Sequence, residues 1–195
     1  MQWALKHPFE KIVLTTDIPD LLKTELDERV IKLERAEALS GDKTRMRDVV
    51  LDVIKRLSLS QNAILWVLQP SSPFRKDEDF KAIDRLIYSS GIRSVISGTE
   101  VGANHPDRMF TIRNGWLKPL RHHSFDNKED LAKEYIRNGC YYVVRSSDFR
   151  STHSFLVHPC APYLMDAENS INIDSMMDLE LARLLHAKAK HTNTV

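Results

Sequence analysis

Cysteine is scarce in these 195 residues: Cys140 and Cys160 are the only two. Two cysteines make neither a metal framework nor a disulfide scaffold, and a reducing, cytoplasmic compartment is the expected setting. Long apolar runs are missing too. The longest, Ala63–Leu68, is far short of the roughly 20 residues that cross a bilayer. No charged stretch followed by an apolar one opens the chain, so neither a membrane partner nor a secretory leader is expected. Nor is there an excess of one charge: 28 Lys and Arg face 27 Asp and Glu, a formal net charge of +1. Without a basic excess the chain cannot neutralise a run of phosphates, which argues against nucleic acid as its main partner. Six glycines and eight prolines are scattered, and no linker, repeat or low-complexity stretch divides the sequence.

What is present is the composition of a globular protein. Hydrophobic residues at 42% and charged residues at 28% are too apolar for disorder, and the length suffices to bury a core. Residues 1–195 read as one domain. Met1–Pro8 reads as a helical fragment and Lys11–Thr16 as a short β-branched strand. In Arg45–Leu57, the residues Val49, Val50, Val53, Ile54 and Leu57 follow the spacing of one apolar helix face. Ala63–Gln69 reads as a buried strand stopped by Pro70-Ser71-Ser72-Pro73. Phe80, Ile83, Leu86 and Ile87 mark a helix that Gly91 ends, and Ser94–Ser97 is a further strand. This alternation predicts a three-layer α/β sandwich whose mainly parallel sheet holds Lys11–Thr16, Ala63–Gln69 and Ser94–Ser97 together. Sites in such sheets lie beyond the carboxyl ends of the strands, where Thr16-Asp17 and the polar cluster Gln69–Arg75 fall.

The middle of the chain changes style. Met109–Arg113 and Trp116–Leu120 flank Asn114-Gly115, which predicts a hairpin with a type I′ turn. Cys140–Arg145 reads as a strand whose Cys140 belongs to the core, Phe155–His158 and Tyr163–Met165 as short extended pieces, and Ser175–Lys188 as the last helix, with a frayed tail at His191–Val195.

Four constellations carry chemistry. Leu68–Arg75 brings the amide of Gln69, a proline-stiffened loop and Arg75 to one strand end; a plain loop with Gln69 serving backbone groups is the alternative. Arg137-Asn138-Gly139 leads into Tyr141 and Tyr142, either as a turn or as a presentation of Asn138 and a tyrosine to a polar ligand. In Ile171-Asn172-Ile173-Asp174, alternation puts Asn172 and Asp174 on one side, two oxygen donors suited to a hard cation such as Mg²⁺. The same stretch can cap the last helix through Asp174 or Ser175, with Ser175 and Asp178 spaced as a capping box. Arg35, near Leu39, Asp42 and Asp48, can grip phosphate or pair with its own acids. His122-His123 reads as a surface loop, because adjacent residues rarely face one metal.

Taken in order, these pieces resemble the acylneuraminate cytidylyltransferases. Leu14-Thr15-Thr16-Asp17 is similar to the family's V-S-T-D, Arg35–Asp48 to its R-P-x-x-L-A-x-D segment, and Leu68–Arg75 to its L-Q-P-T-S-P-L-R. Arg137–Tyr142 is similar to R-N-G-A-I-Y, and Ile171–Leu179 to I-D-I-D-x-x-x-D-L. The resemblance implies a Rossmann-like nucleotidyltransferase fold that activates a nine-carbon 2-keto sugar acid with CTP, giving CMP-sugar and pyrophosphate. It implies Mg²⁺ held by Asn172 and Asp174 as the catalytic centre. It implies Gln69, Asn138, Tyr142 and Arg75 toward the sugar, and Arg35 and Asp17 toward the nucleotide. It also implies a homodimer built on a hairpin insertion at residues 105–135.

Two departures bear on activity. Asn172 stands where the family has the first metal-site aspartate, and nothing here matches the family's amino-terminal I-P-A-R-x-G-S-K loop, which cradles the triphosphate. The expectation is slow turnover or none from this chain. The alternative, a non-catalytic protein binding the sugar acid or CMP-sugar on the same scaffold, stays open beside the enzyme.

Overall fold

The computed structural model describes residues 1–121, 127 and 130–192; the His122-His123 pair lies outside them. The elements run α1 (Gln2–Leu5), β1 (Ile12–Thr16), α2 (Pro19–Lys23), β2 (Val30–Glu34), α3 (Met46–Arg56), β3 (Ile64–Val67), α4 (Asp77–Ile87) and β4 (Ser94–Glu100). They continue β5 (Phe110–Arg113), β6 (Trp116–Pro119), β7 (Tyr135–Arg145), α5 (Ser146–Thr152), β8 (Cys160–Leu164) and α6 (Met176–Thr192). This is a mixed α/β fold, as expected. Among the described residues no helix is long and apolar enough to cross a membrane.

The sheet arrangement corrects one expectation. β1 and β3 do not share a sheet: among the described residues β1 pairs only with β2, and β3 is the end strand of a sheet ordered β3-β7-β4-β8. The cause lies in two pairings that the apolar pattern hides. Val30–Glu34 is a strand, parallel to β1 from Ile12↔Val30 to Thr16↔Glu34, although only Val30 in it is buried. A strand of which one residue reaches the core carries little hydrophobic signal. β3 in turn runs antiparallel to β7, from Ile64↔Arg145 to Val67↔Tyr142. Two shorter elements, α2 and α5, also lack a clear sequence period, and α6 continues to Thr192 where a frayed tail was expected.

The chain divides into two compact units. The first comprises Met1–Leu68, Arg75–Ile96 and Tyr141–Tyr163, and the second comprises Gln69–Phe74, Ser97–Cys140 and the chain from Leu164 onward.

In the first unit, the apolar face read from α3 is buried at Val49 and Ile54. Ile54 joins Val144, Phe149 and Val157 in a core that Val50, Leu51, Leu65 and Phe155 extend. Each such side chain removed from water contributes about 1.5–3 kcal/mol. A second cluster, Ala4, Ile12 and Val30, is covered by Trp3, Phe9, Leu14 and Leu68. Aromatic rings continue it: Trp66 stacks on Phe80 at 5.1 Å and meets Phe9 edge-on at 5.4 Å. One acid sits inside. Asp79 accepts hydrogen bonds from the Tyr141 and Tyr163 hydroxyls, both at 2.7 Å, and from the Lys76 backbone N–H at 2.8 Å. At the third position of α4 it satisfies a helix-start N–H while the tyrosines neutralise the cost of its burial.

In the second unit, Asn114 (φ 52°) and Gly115 (φ 79°) form the expected hairpin turn, and Arg113 pairs with Trp116 across it. The root is held by His105, whose Nε2 donates to the Ala132 carbonyl at 2.9 Å while Nδ1 accepts from the Asp107 N–H at 3.2 Å. All eight hairpin residues are exposed.

His7 is the titratable weak point of the first unit. It is 9% exposed, stacks on Phe80 at 4.6 Å, and its Nε2 has no hydrogen-bond partner. Burial pushes its pKa below the ordinary value of 6.5, with Asp77 and Asp79 raising it and Lys6 lowering it further. A base whose pKa is depressed on folding adds stability that is complete above the unfolded value and is lost as pH falls through the folded one. The urea midpoint is therefore expected to drop between about pH 7.5 and about pH 5.5, and the drop to shrink in His7→Phe. An equal drop in both proteins would refute this.

Candidate functional site

The second unit gathers residues from three well-separated sequence blocks. The first is the loop after β3, where the Ser72 N–H donates to the Gln69 carbonyl at 3.3 Å and closes the turn. The Ile173 N–H donates to the Ser71 carbonyl at 2.8 Å and ties the Asn172 segment to this loop. The second block is Asn138-Gly139 in β7. Gly139 has φ +76°, which disfavours any side chain, and a Cβ there would lie 2.5 Å from Gln69 Oε1 and 4.0 Å from Asn172 Oδ1. Gln69 and Asn172 therefore close on the space a side chain at 139 would take. Gly98 in β4 serves a similar end, since a Cβ there would meet the Ile136 carbonyl oxygen at 2.8 Å.

Asn138 stands behind this space, 8% exposed. Its Oδ1 accepts from the Ser97 hydroxyl at 2.6 Å and the Cys140 N–H at 3.2 Å. Its Nδ2 donates to Ser170 Oγ at 2.9 Å and toward Met165 Sδ at 3.2 Å. The third block is Asn172-Ile173-Asp174. Asn172 Nδ2 donates to Asp174 Oδ2 at 2.5 Å, while Asn172 Oδ1 is buried without a partner.

The two readings of this last block separate onto different residues. Ser175 and Asp178 form the capping box: the Ser175 N–H donates to the Asp178 carboxylate at 2.8 Å, and Ser175 Oγ accepts the Asp178 N–H at 3.3 Å. The Ser175 hydroxyl and the Asp174 N–H also donate to that carboxylate. These donors, the Ser175 hydroxyl first, hold the Asp178 carboxyl below its usual range. The Asp174 carboxylate takes no part in capping and remains with Asn172.

The other expected site residues lie in the first unit. Asp17 and Arg35 follow the carboxyl ends of the paired strands β1 and β2, and the Arg35 N–H donates to the Thr16 carbonyl at 2.9 Å. Arg35 Nη2 donates to the Thr15 carbonyl at 2.7 Å, whereas Arg35 Nε and Thr15 Oγ1 are buried without partners. A shallow cavity of about 410 Å³ lies in the same unit, lined by Glu37, Ala38, Leu39, Lys43, Thr44 and Asp48. Arg75 lies over the Tyr141 ring at 5.5 Å, and Tyr142 packs against Phe155 at 5.2 Å. Gln69, Asn138, Asn172 and Asp174 thus form one cluster; Arg35 and Asp17 form another, and Tyr142 and Arg75 stand with aromatic neighbours. Sequence reasoning missed Ser97, Met165 and Ser170. Ser97 ends the strand read from the sequence, Ser94–Ser97, so its position was the available signal, although β4 itself runs on to Glu100; Met165 and Ser170 carry none.

Among the described residues no group of three His, Cys, Asp or Glu side chains is placed to hold a metal ion. Asn172 Oδ1 and Asp174 are two hard oxygen donors, which fits Mg²⁺ only as an ion completed by water and phosphate oxygens.

Gly139→Ala tests the close approach. It is expected to cost about 1–2 kcal/mol from the left-handed backbone alone, plus the displacement of Gln69. Adding Gln69→Ala removes the second part, so the double variant should be more stable than the sum of the singles predicts. Additive losses in urea denaturation would count against the contact.

No family model matches the chain. It is 27% identical over 191 residues to N-acylneuraminate cytidylyltransferase of Escherichia coli O18:K1:H7, covering 92% of this chain and 43% of that protein. It is 26% identical over 186 residues to CMP-N,N'-diacetyllegionaminic acid synthase of Legionella pneumophila, covering 90% of this chain and 78% of that one. Among solved structures, 2-C-methyl-D-erythritol 4-phosphate cytidylyltransferase of Francisella tularensis superposes with a TM-score of 0.64 at 12% identity, over 93% of this chain and 83% of that one. CMP:2-keto-3-deoxy-manno-octonic acid synthetase, solved with CTP, gives a TM-score of 0.64 at 14% identity, over 96% and 86% of the two chains. The resemblance read from the five motifs therefore stands: this chain is similar to acylneuraminate cytidylyltransferases along about nine-tenths of its length and has the mixed α/β fold of cytidylyltransferases.

Proposed function

We propose that the chain is a cytidylyltransferase that joins CMP from CTP to a nine-carbon 2-keto sugar acid. One observation carries the reading. Three sequence blocks that resemble sugar-acid cytidylyltransferases meet at Gly139, with Gln69 Oε1 and Asn172 Oδ1 at 2.5 and 4.0 Å from where its Cβ would lie. In this reading Gln69, Tyr142 and Arg75 serve the sugar acid, and Arg35 and Asp17 serve the nucleotide. The unpartnered Arg35 Nε–H and Thr15 hydroxyl supply donors for its polar groups. The sugar's anomeric oxygen forms a bond to the α-phosphorus, its proton leaves to solvent, and the bond to pyrophosphate breaks. Such a transfer is governed by position and electrostatics. Asn172 and Asp174 would hold Mg²⁺, which when bound offsets phosphate charge. With two cysteines, Cys140 and Cys160, and no disulfide joining them, a reducing, cytoplasmic setting belongs to this reading.

A second reading, a non-catalytic binder of the sugar acid or CMP-sugar, is favoured by the Asn172–Asp174 pair. An amide replaces a carboxylate there, so the pair carries one negative charge. The assay is pyrophosphate release from CTP and Mg²⁺ with N-acetylneuraminate or N,N'-diacetyllegionaminate, beside calorimetric titration of the same compounds. Turnover by the unchanged chain is expected to be slow, rising about tenfold in Asn172→Asp, which is about 1.4 kcal/mol of added stabilisation. Sugar-acid binding without turnover in either protein selects the second reading, and neither binding nor turnover overturns both.

The hairpin carries the homodimer proposal. Ile112 is 72% and Trp116 78% exposed, with Phe110 and Leu117 beside them. An isolated two-stranded ribbon is marginal in water and gains from a second copy packed on it. Light scattering at tens of micromolar, on the order of what a standard interface needs, is expected to give a dimer, and Trp116→Lys a monomer. A wild-type monomer would refute it.

A further inference from the structure

The resemblance assigns Asn138 to the sugar, but its carboxamide has nothing left to offer one. A primary amide has two N–H donors and two oxygen lone pairs. Here the Ser97 hydroxyl and the Cys140 N–H occupy the oxygen, and Ser170 Oγ and Met165 Sδ take the two hydrogens. The orientation of the amide is fixed, because a backbone N–H can only donate and must face Oδ1. Ser170 is consistent with this: its hydroxyl accepts from Asn138 and passes its own hydrogen to the Asp166 carbonyl at 2.9 Å.

We propose that Asn138 is a positioning residue rather than a ligand contact: with Ser97 and Ser170 it forms a brace that sets Asn172 and Asp174 opposite Gln69. Ser97 lies in β4, Asn138 in β7, and Ser170 two residues before Asn172. On the other side of Asn172 the Ile173 N–H is held by the Ser71 carbonyl. Asn172 is thereby bracketed by two fixed points, one on each side. The amide joining Ser97 to Ser170 decides where the first one stands. A ligand reaching Asn138 would have to break one of four internal bonds to a residue that is 8% exposed. An unsatisfied buried group is costly, so the brace is kept rather than traded for a contact. Serine at 97 and 170 is part of the same device, each bonded to one end of the Asn138 amide.

The proposal rests on the sugar-acid reading only for its kinetic arm. Asn138→Ala empties four bonds and risks the fold, so Ser170→Ala and the rescue variant Ser170→Thr are the informative changes. In ¹⁵N-labelled ligand-free protein, the Asn138 side-chain NH₂ is expected to exchange slowly with solvent. Ser170→Ala is expected to speed that exchange and to shift the backbone amides of Asn172 and Asp174, and Ser170→Thr to restore both. Saturating N-acetylneuraminate is expected to move the Gln69 side-chain signals more than those of Asn138. In turnover, Ser170→Ala should lower kcat about tenfold with KM within about twofold, the mark of lost positioning. Fast exchange at Asn138 in the wild type, or unmoved Asn172 and Asp174 amides in Ser170→Ala, overturns the brace. A larger response of Asn138 than of Gln69 to N-acetylneuraminate, or a raised KM at constant kcat, overturns the positioning role. Absence of binding and turnover refutes the sugar-acid reading, and the ligand-free spectra then decide the brace alone.

Discussion

The second unit depends on a junction of two residues. At Asn138 the chain places a carboxamide whose every hydrogen-bonding position is spent on its own neighbours, and at Gly139 it places no side chain at all. The first residue fixes distance and the second permits it. A left-handed backbone at φ +76° turns β7 so that Gln69 and Asn172 come within reach of the same small volume. Neither feature works without the other. A side chain at 139 would push Gln69 away, and a residue at 138 unable to donate twice would release the segment leading to Asn172. Fully connected polar groups of this kind are rigid because each broken bond leaves a buried orphan.

That rigidity bears on charge. Where the resembling family has two aspartates, this chain has an amide donating to a carboxylate at 2.5 Å. Two carboxylates at that separation repel and draw a cation strongly; an amide and a carboxylate attract each other without one. The pair is therefore ordered in its own right, and it carries one negative charge where two carboxylates would carry two. The helix beginning at Met176 does not compete for Asp174, because Ser175 and Asp178 cap it.

How much of this was legible in the sequence varies with how local the cause is. The Asn114-Gly115 turn, the apolar face of α3 and the Ser175–Asp178 capping box are set within a few residues and were read correctly. The five motifs were legible as resemblance, and four of their residues do meet in one cluster. The strand Val30–Glu34 was not legible, because its alternating Lys and Glu look like a loop once only Val30 is buried. The split of β1 and β3 between sheets was not legible either, since pairing partners are chosen by tertiary contacts and not by period. The spent valences of Asn138 are the sharpest case. Composition and spacing show an asparagine before a glycine; only coordinates show that Ser97, 41 residues earlier, and Ser170, 32 residues later, already hold it.

Polar atoms left unpaired offer the complementary information. Buried side-chain oxygens and nitrogens in folded proteins are nearly always satisfied, so an exception calls for a cause. Among the described residues, Asn172 Oδ1 is such an atom in the second unit, and Thr15 Oγ1 and Arg35 Nε are such atoms in the first. His7 Nε2 is another, but it is a ring nitrogen enclosed by Trp3 and Phe80 with the Asp77 carboxylate 3.9 Å away. The other three are not ring nitrogens. A guanidinium stays charged, a hydroxyl keeps both its roles, and an amide oxygen keeps two lone pairs. Each belongs to a sequence block that resembles a cytidylyltransferase motif. These three atoms keep hydrogen-bonding capacity that the protein itself does not use, an acceptor at Asn172, a hydroxyl at Thr15 and a donor at Arg35.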